Sequence, residues 1–247
     1  MSSTNQVYGL RAIIEALHAK KSIHKIYLQR GLQGDLYNEL KQLAASEGIG
    51  VSTVPKEKLN RLTKGNHQGA IAQISPIAFK DFSEFMDELQ QIDNPFLLML
   101  DGISDVRNFG AIIRTAECTG ANGIIIPKNG AAPINDITVK TSAGAAFNVP
   151  IVKVDHLKDA IYFLQSMGIK TIAATEKTST LIYKTDFSTP CAIIMGSEDK
   201  GVTPSILKIV DEQVKLPMRG KIESLNVSVA CGAVLYEALR QRLGQSG

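Results

Sequence analysis

The 247-residue chain is long enough for a small domain beside a medium one, and its 44% apolar and 21% charged residues suit an ordinary globular protein. No run of 18 or more apolar residues occurs, which argues against a membrane span. The net charge of +3 names no partner, but residues 1–80 hold 11 Lys and Arg against 5 Asp and Glu, whereas the remainder holds 16 against 19.

That basic N-terminal third is what a separate polyanion-binding module would show, although a lysine-rich solvated surface accounts for the charge equally well. Met1 to Gln6 is polar and lacks the basic and apolar regions of a secretory signal, so the expected location is cytoplasmic. Leu10 to Ala19 has helical spacing, with Ile13, Ile14 and Leu17 on one face. His24 to Leu28 is a strand candidate, Asp35 to Glu47 a second helix and Ile49 to Thr53 a second strand. Pro55 opens a short helix, as proline at a first helical position does, and Ala70 to Ile74 closes the unit as a strand. Segment 79–94 reads as an amphipathic connecting helix that ends near Pro95.

Beyond Pro95 the strands change character. Phe96 to Leu100, Gly123 to Ile126, Thr171 to Ala174 and Ala192 to Met195 are continuous apolar runs, as strands covered on both faces are. Helical stretches near 109–120, 135–143, 157–167, 204–209 and 227–242 alternate with them, which predicts a doubly wound parallel α/β domain. The expected organisation is therefore residues 1–78 as one domain, 79–94 as a linker and 95–247 as the second domain.

Several chemistries are disfavoured. Cys118, Cys191 and Cys231 are far apart among small apolar residues, so buried inert thiols are expected rather than a zinc site or a disulfide framework. The four histidines are scattered, and no metal cluster can be assembled from sequence proximity; His67, in Gly65-Asn66-His67-Gln68-Gly69, reads best as a hydrogen-bonded loop histidine. The strand Phe96 to Leu100 is followed by Asp101-Gly102-Ile103-Ser104-Asp105 and not by G-x-G-x-x-G, and a P-loop sequence is absent. Common dinucleotide-binding and P-loop nucleotidase readings fall away.

Three segments carry the chemistry. Asp105-Val-Arg-Asn108-Phe-Gly110-Ala-Ile-Ile-Arg114-Thr115 starts a helix, where Asn108 is either an N-cap or a ligand-orienting amide, and Arg114 either a surface cation or an anion-binding one. Met195-Gly196-Ser197-Glu198-Asp199-Lys200-Gly201 follows a buried strand, at the sheet edge where α/β folds bind ligands. Leu216 to Ser228 runs from a strand end at Pro217 through a loop to Ser224-Leu225-Asn226-Val227-Ser228, where Ser224 or Asn226 would cap an Ala-rich helix.

In order and separation, these segments resemble the three motifs of the SpoU (TrmH) branch of the SPOUT methyltransferases: N-x-G-x-x-x-R-S/T at Asn108, Gly110, Arg114 and Thr115, G-x-E-x-x-G at Gly196, Glu198 and Gly201, and P-M-x-G-x-x-x-S-L-N-V-S-x-A from Pro217 to Ala230. The N-terminal portion, from Tyr8-Gly9-Leu10 to His67-Gln68-Gly69, resembles the RNA-binding domain that precedes it in the family's ribosomal members. One departure is Phe147, in Gly144-Ala145-Ala146-Phe147, where some relatives carry a glutamate.

The resemblance implies an α/β fold with a C-terminal trefoil knot, behind an N-terminal L30e-like RNA-binding domain. It implies an enzyme that uses S-adenosylmethionine to methylate a ribose 2′-hydroxyl, on a guanosine of large-subunit (23S) ribosomal RNA, as a homodimer, without metal or membrane. Ala174, Thr175, Gly196, Gly201, Leu216, Met218 and Leu225 would hold the cofactor. Asn108, Arg114, Glu198, Ser224 and Asn226 would form the catalytic site, with Glu198 orienting Arg114 or touching substrate. The rival readings are a transfer-RNA 2′-O-methyltransferase and a non-catalytic RNA-binding assembly protein.

Overall fold

A computed structural model describes residues 6–221 and 224–244. The chain forms two compact units that divide between Ala78 and Phe79, with the short segment Pro133–Asn135 grouped with the first.

In the first unit, β1 (Gln6–Tyr8), α1 (Leu10–His18), β2 (Ile23–Gln29), α2 (Asp35–Ser46), β3 (Gly50–Val54), α3 (Lys56–Leu62) and β4 (Ala70–Ile74) follow one another. Their strands make one sheet in the order β1-β4-β2-β3, in which β2 and β3 are parallel and the other pairs antiparallel. Ile13, Ile14 and Leu17 of α1 and Leu40 and Ala44 of α2 bury one face of the sheet on Ile26, Leu28, Ala70 and Ala72. Leu59 of α3 packs with Val54 and Ile71.

The second unit contains α4 (Phe82–Leu89), β5 (Phe96–Asp101), α5 (Val106–Cys118), β6 (Gly123–Pro127), α6 (Asp136–Thr141), β7 (Ile151–Val154) and α7 (Leu157–Ser166). β8 (Lys170–Ala174), β9 (Cys191–Gly196), α8 (Pro204–Leu207), β10 (Glu212–Val214) and α9 (Val227–Leu243) complete it. Among the described residues the strands form a single parallel sheet, ordered β10-β8-β9-β5-β6-β7. The continuous apolar runs are explained: all of Leu97 to Met99, Ile124 to Ile126 and Ala192 to Ile194 are buried, because helices cover both faces.

Three expectations need correction. Segment 79–94 is not a linker: it belongs to the second unit, and Phe85, Met86 and Leu89 of α4 lie in that unit's core with Leu97, Ile125 and Val152. Its amphipathic pattern is that of a helix with one face buried. Strands β1 and β7 were not expected; each is a short edge strand held by its neighbour, β4 or β6, rather than announced by its own pattern. Finally, Cys118 is exposed at the end of α5, whereas Cys191 and Cys231 are buried, and burial pushes the Cys231 thiol up to about 12.

Carboxylates tie the second unit together. Asp211 accepts from the Thr171 amide at 2.8 Å and the Thr171 hydroxyl at 2.6 Å, joining the starts of β8 and β10. Burial works against its charge, yet the Thr171 bonds win and hold its carboxyl below the usual range. Asp186 is lowered by the Ser188 hydroxyl and amide, and Glu237 chiefly by the Arg240 guanidinium. A carboxylate whose pKa is lower folded than unfolded contributes stability above the unfolded value, about 4, and that contribution is lost as pH falls through the folded value. Urea midpoints are therefore expected to fall between pH 6 and pH 3, and less steeply in Asp211→Asn; equal slopes for the two proteins would remove Asp211 from this account.

Candidate active site

Strands β8, β9 and β10 run parallel and adjacent, so Ala174, Gly196 and Val214 end at one edge of the sheet. Ala174 pairs with Met195 on one side and Val214 on the other, and the Thr175 amide donates to the Val214 carbonyl at 2.8 Å. Three loops leave this edge. The first begins at buried Thr175. The second, from Gly196, turns back so tightly that a Cβ on Gly196 would lie 2.0 Å from the carbonyl carbon of Gly201 and the nitrogen of Val202. Ser197 pairs with Gly201, whose φ of 64° is in the left-handed region, and Asp101 at the end of β5 accepts the Thr203 amide at 2.7 Å. The third loop carries Leu216, half-buried, and Met218 and Leu225, which are 41% and 43% exposed.

The strand order thus gathers Ala174, Thr175, Gly196 and Gly201 at one edge, with Leu216 just beyond β10 and Met218 and Leu225 further along the third loop. The residues suit S-adenosylmethionine chemically: backbone N–H and C=O groups at three strand ends suit the edge of an adenine, and exposed apolar side chains on the third loop suit its faces.

The expected catalytic residues divide into two groups. Asn108, Glu198 and Asn226 form a hydrogen-bonded triangle, with one member from each motif. The Asn108 Nδ2 donates to Glu198 Oε1 at 2.6 Å, and the Asn226 Nδ2 donates to Glu198 Oε1 at 2.9 Å and to Asn108 Oδ1 at 3.1 Å. The orientation of Asn226 is set independently, because its Oδ1 caps α9, accepting the Ser228 amide at 3.0 Å and the Val229 amide at 3.4 Å. With its oxygen committed to the helix, only its nitrogen can face Glu198. A shallow polar cleft lies beside the triangle, lined by Gly102, Ser104, Asp105, Asn108, Glu198 and Asp199 among others.

Arg114 stands apart. It lies six residues beyond Asn108 on α5, about 9 Å along the axis and about a third of a turn round it. It is exposed and, among the described residues, makes no hydrogen bond or ion pair. The expected Glu198–Arg114 contact is therefore not formed within one chain: Glu198 is occupied by two amides. Ser224 is exposed on the third loop, next to Ile222 and Glu223, which lie outside the described residues.

The cap of α5 is Asp105, which accepts the Arg107 amide at 2.9 Å and the Asn108 amide at 2.8 Å; Asn108 sits in the first turn, with its side chain free for the triangle. Gly110 has a packing role, since a Cβ there would lie 2.7 Å from Thr141 Cβ and 2.9 Å from the Thr138 carbonyl, both on α6. Two acidic residues escaped the sequence reading: Asp101, which anchors the second loop, and Glu176, whose carboxylate lies beside Gly201. Asp101 could have been found, as the polar residue that ends an all-apolar strand.

The triangle makes a separable prediction. Asn226→Ala removes both the cap and the link to Glu198, while Asn226→Asp keeps the cap but sets a second carboxylate against Glu198. Loss of the cap is worth about 1 kcal/mol. We expect Asn226→Ala to lower the melting temperature and Asn226→Asp to spare more of it, with methyl transfer falling at least ten-fold in both. Full activity in Asn226→Asp would mean that the triangle is only structural.

Residues 95–236 match the SpoU rRNA methylase family, and residues 6–79 match the RNA 2′-O ribose methyltransferase substrate-binding family. The chain is 35% identical to the 23S rRNA (guanosine-2′-O-)-methyltransferase RlmB of Pseudomonas putida, over 98% of each chain. It is 32% identical to YacO of Bacillus subtilis, a putative TrmH family tRNA/rRNA methyltransferase, over 96% of this chain and 95% of that one. The SpoU methyltransferase AviRb of Streptomyces viridochromogenes, solved with its cofactor AdoMet, shares the fold with a TM-score of 0.62 at 23% identity, covering 97% of this chain and 90% of that one. The chain belongs to the SpoU (TrmH) family of RNA methyltransferases, enzymes that take the methyl group from S-adenosylmethionine.

Proposed function

We propose that this enzyme methylates the ribose 2′-hydroxyl of a guanosine in large-subunit ribosomal RNA. The observation that carries the catalytic reading is the triangle of Asn108, Glu198 and Asn226, which draws three distant motifs onto one cleft beside the three strand ends. The choice of large-subunit RNA rests on the match to RlmB over nearly the whole of both chains, together with the basic first unit.

When bound, the cofactor supplies a methyl group on a positively charged sulfur, open to in-line attack by a ribose oxygen. The protein's part is orientation and charge. Ala174, Thr175, Gly196 and Gly201 would present backbone groups to the nucleoside, and Leu216, Met218 and Leu225 would wall it. Asn108 and Asn226 keep Glu198 in place, and Glu198 fixes the second loop against the first turn of α5. A guanidinium is a donor-only cation with no lone pair to offer a proton, so Arg114 is no base. Its role is to hold the phosphate next to the target ribose and to stabilise the forming alkoxide, while that phosphate or water takes the hydroxyl proton.

Two further expectations enter here. A knotted path is supported by the order of events along the chain: β9 runs between β5 and β8, both laid down earlier, and α9 then returns to pack on α5. A homodimer is supported by the exposure of Val229 (57%), Tyr236 (55%) and Leu243 (65%) on α9, too much apolar surface on one helix to leave in water. Such a dimer would let Arg114 of one subunit complete the partner's cleft. Tyr236→Asp is expected to yield monomers in sedimentation and to lose activity with them; a monomeric wild type with full activity would end this reading.

The decisive experiment is transfer of labelled methyl to unmodified large-subunit RNA, followed by alkaline hydrolysis. Alkali cleaves through the free 2′-hydroxyl, so label in an alkali-resistant dinucleotide places the methyl on ribose and names its base. Label in mononucleotides would mean base methylation, and labelling of transfer RNA alone would move the substrate there.

A further inference from the structure

The family match gives the first unit a part in substrate binding but names no residues for it. Within that unit, a cavity of about 400 Å³ opens between Gln29 at the end of β2, Lys56 and Asn60 on α3, and the loop of Gly65 to Gly69. We propose that this cavity is a recognition pocket for one unstacked nucleotide of single-stranded RNA, separate from the methylation cleft. The proposal rests on the reading above that the substrate is RNA.

Three observations carry it. First, the wall is held rigid. His67 is only 7% exposed, and its Nδ1 accepts the Gly69 amide at 3.0 Å, so its Nε2 bears the proton and donates to Asn60 Oδ1 at 2.8 Å. Next to it, Gln68 has a φ of 45°, a left-handed conformation that a glutamine keeps only where its surroundings impose it. The histidine thus acts as a brace between loop and helix.

Second, the brace leaves hydrogen-bonding capacity facing the cavity. The Asn60 oxygen is taken, but its Nδ2 is not, and the side-chain amides of Gln29 and Gln68 bond to none of the described residues. Amides offer a donor and an acceptor side by side, the pattern that pairs with the edges of nucleobases. A pocket of this volume suits a single small ligand and is too small for a duplex.

Third, a cation lines the pocket, Lys56, and the segments that form its walls are rich in others. From Pro55 to Gly65 the chain carries Lys56, Lys58, Arg61 and Lys64 against Glu57 alone, and Arg30 adjoins Gln29. None of these five cations is in an ion pair among the described residues. An unpaired lysine in the wall of a polar pocket, on a segment of net positive charge, suits a phosphate-linked ligand. Unpaired bases splayed from a loop are also how proteins read RNA sequence, because the deep groove of an RNA duplex hides its base edges.

The test compares fluorescence anisotropy of the full-length protein with two labelled RNAs, a hairpin pool with a randomised loop and a blunt duplex of the same stem. Lys56→Ala and Gln68→Asn are the variants, the second chosen because asparagine tolerates the left-handed backbone. The expected result is tighter binding of the hairpins than of the duplex, an advantage that shrinks about ten-fold in each variant, and restored affinity in Lys56→Arg. Affinity for S-adenosylmethionine and the melting temperature should not move. Variants that bind hairpins as the wild type does, while the wild type still methylates RNA, overturn the pocket alone. Equal binding of hairpin and duplex by the wild type does the same. A wild type that neither binds nor methylates RNA overturns the substrate reading as well.

Discussion

Arg114→Ala is expected to slow methyl transfer by about a hundred- to a thousand-fold, with little change in affinity for S-adenosylmethionine. The argument starts from its isolation: an exposed guanidinium on a well-packed helix, with no partner among the described residues, contributes little to folding. Its melting temperature should therefore stay within the range of ordinary surface substitutions, so that a loss of rate cannot be blamed on unfolding. Arg114→Lys should recover only part of the rate, because a planar fork can bind phosphate and alkoxide oxygens together, whereas an ammonium is a single point charge. Single-turnover rates at saturating cofactor would separate chemistry from binding. Near-full activity in Arg114→Ala would remove this residue from the mechanism.

Gly196→Ala should be comparably damaging by a different route. Its Cβ would lie 2.0 Å from backbone atoms of Gly201 and Val202, well inside van der Waals contact. Neither side can yield easily. Gly196 ends β9, which is paired with β5 and β8, and the returning loop is pinned to Asp101 through Thr203. Overpacking of this kind costs about 1–3 kcal/mol, and here the strain falls on the loop proposed to wall the cofactor. We expect a lower melting temperature and a loss of at least about a hundred-fold in S-adenosylmethionine affinity by calorimetry, on the order of 2.7 kcal/mol. A variant that is destabilised but binds normally would show that this turn serves the fold and not the cofactor.

The sequence announced the central strands because burial on both faces leaves an unmistakable apolar run, as in Phe96 to Leu100. It was silent on β1 and β7, whose identity depends on a partner strand and not on their own residues. The helix caps show the same limit. Asp105 and Asn108 are both good capping residues, and local pattern does not choose between them; the structure gives the cap to Asp105 and frees Asn108 for Glu198. Motif spacing was legible, but the triangle was not, since a hydrogen bond between Asn108 and Asn226 depends on how every intervening strand is ordered. The brace at His67 was half visible: a loop histidine with hydrogen bonds was expected, but not its partner Asn60 on a helix.

The position of α9 has a consequence for how the enzyme comes into being. Asn226, which closes the triangle, opens the final helix, and the far end of that helix is fastened by Arg242 to the carbonyls of Asn94, Pro95 and Thr189 and by Gln241 to the amide of Phe187. Every one of these contacts reaches far back along the chain, and such non-local pairings form slowly. A nascent chain that has already built its sheet therefore still lacks a closed cleft. Recognition and chemistry therefore mature apart: a product cut before Asn226 is expected to keep the RNA-recognising first unit and to lack methyl transfer.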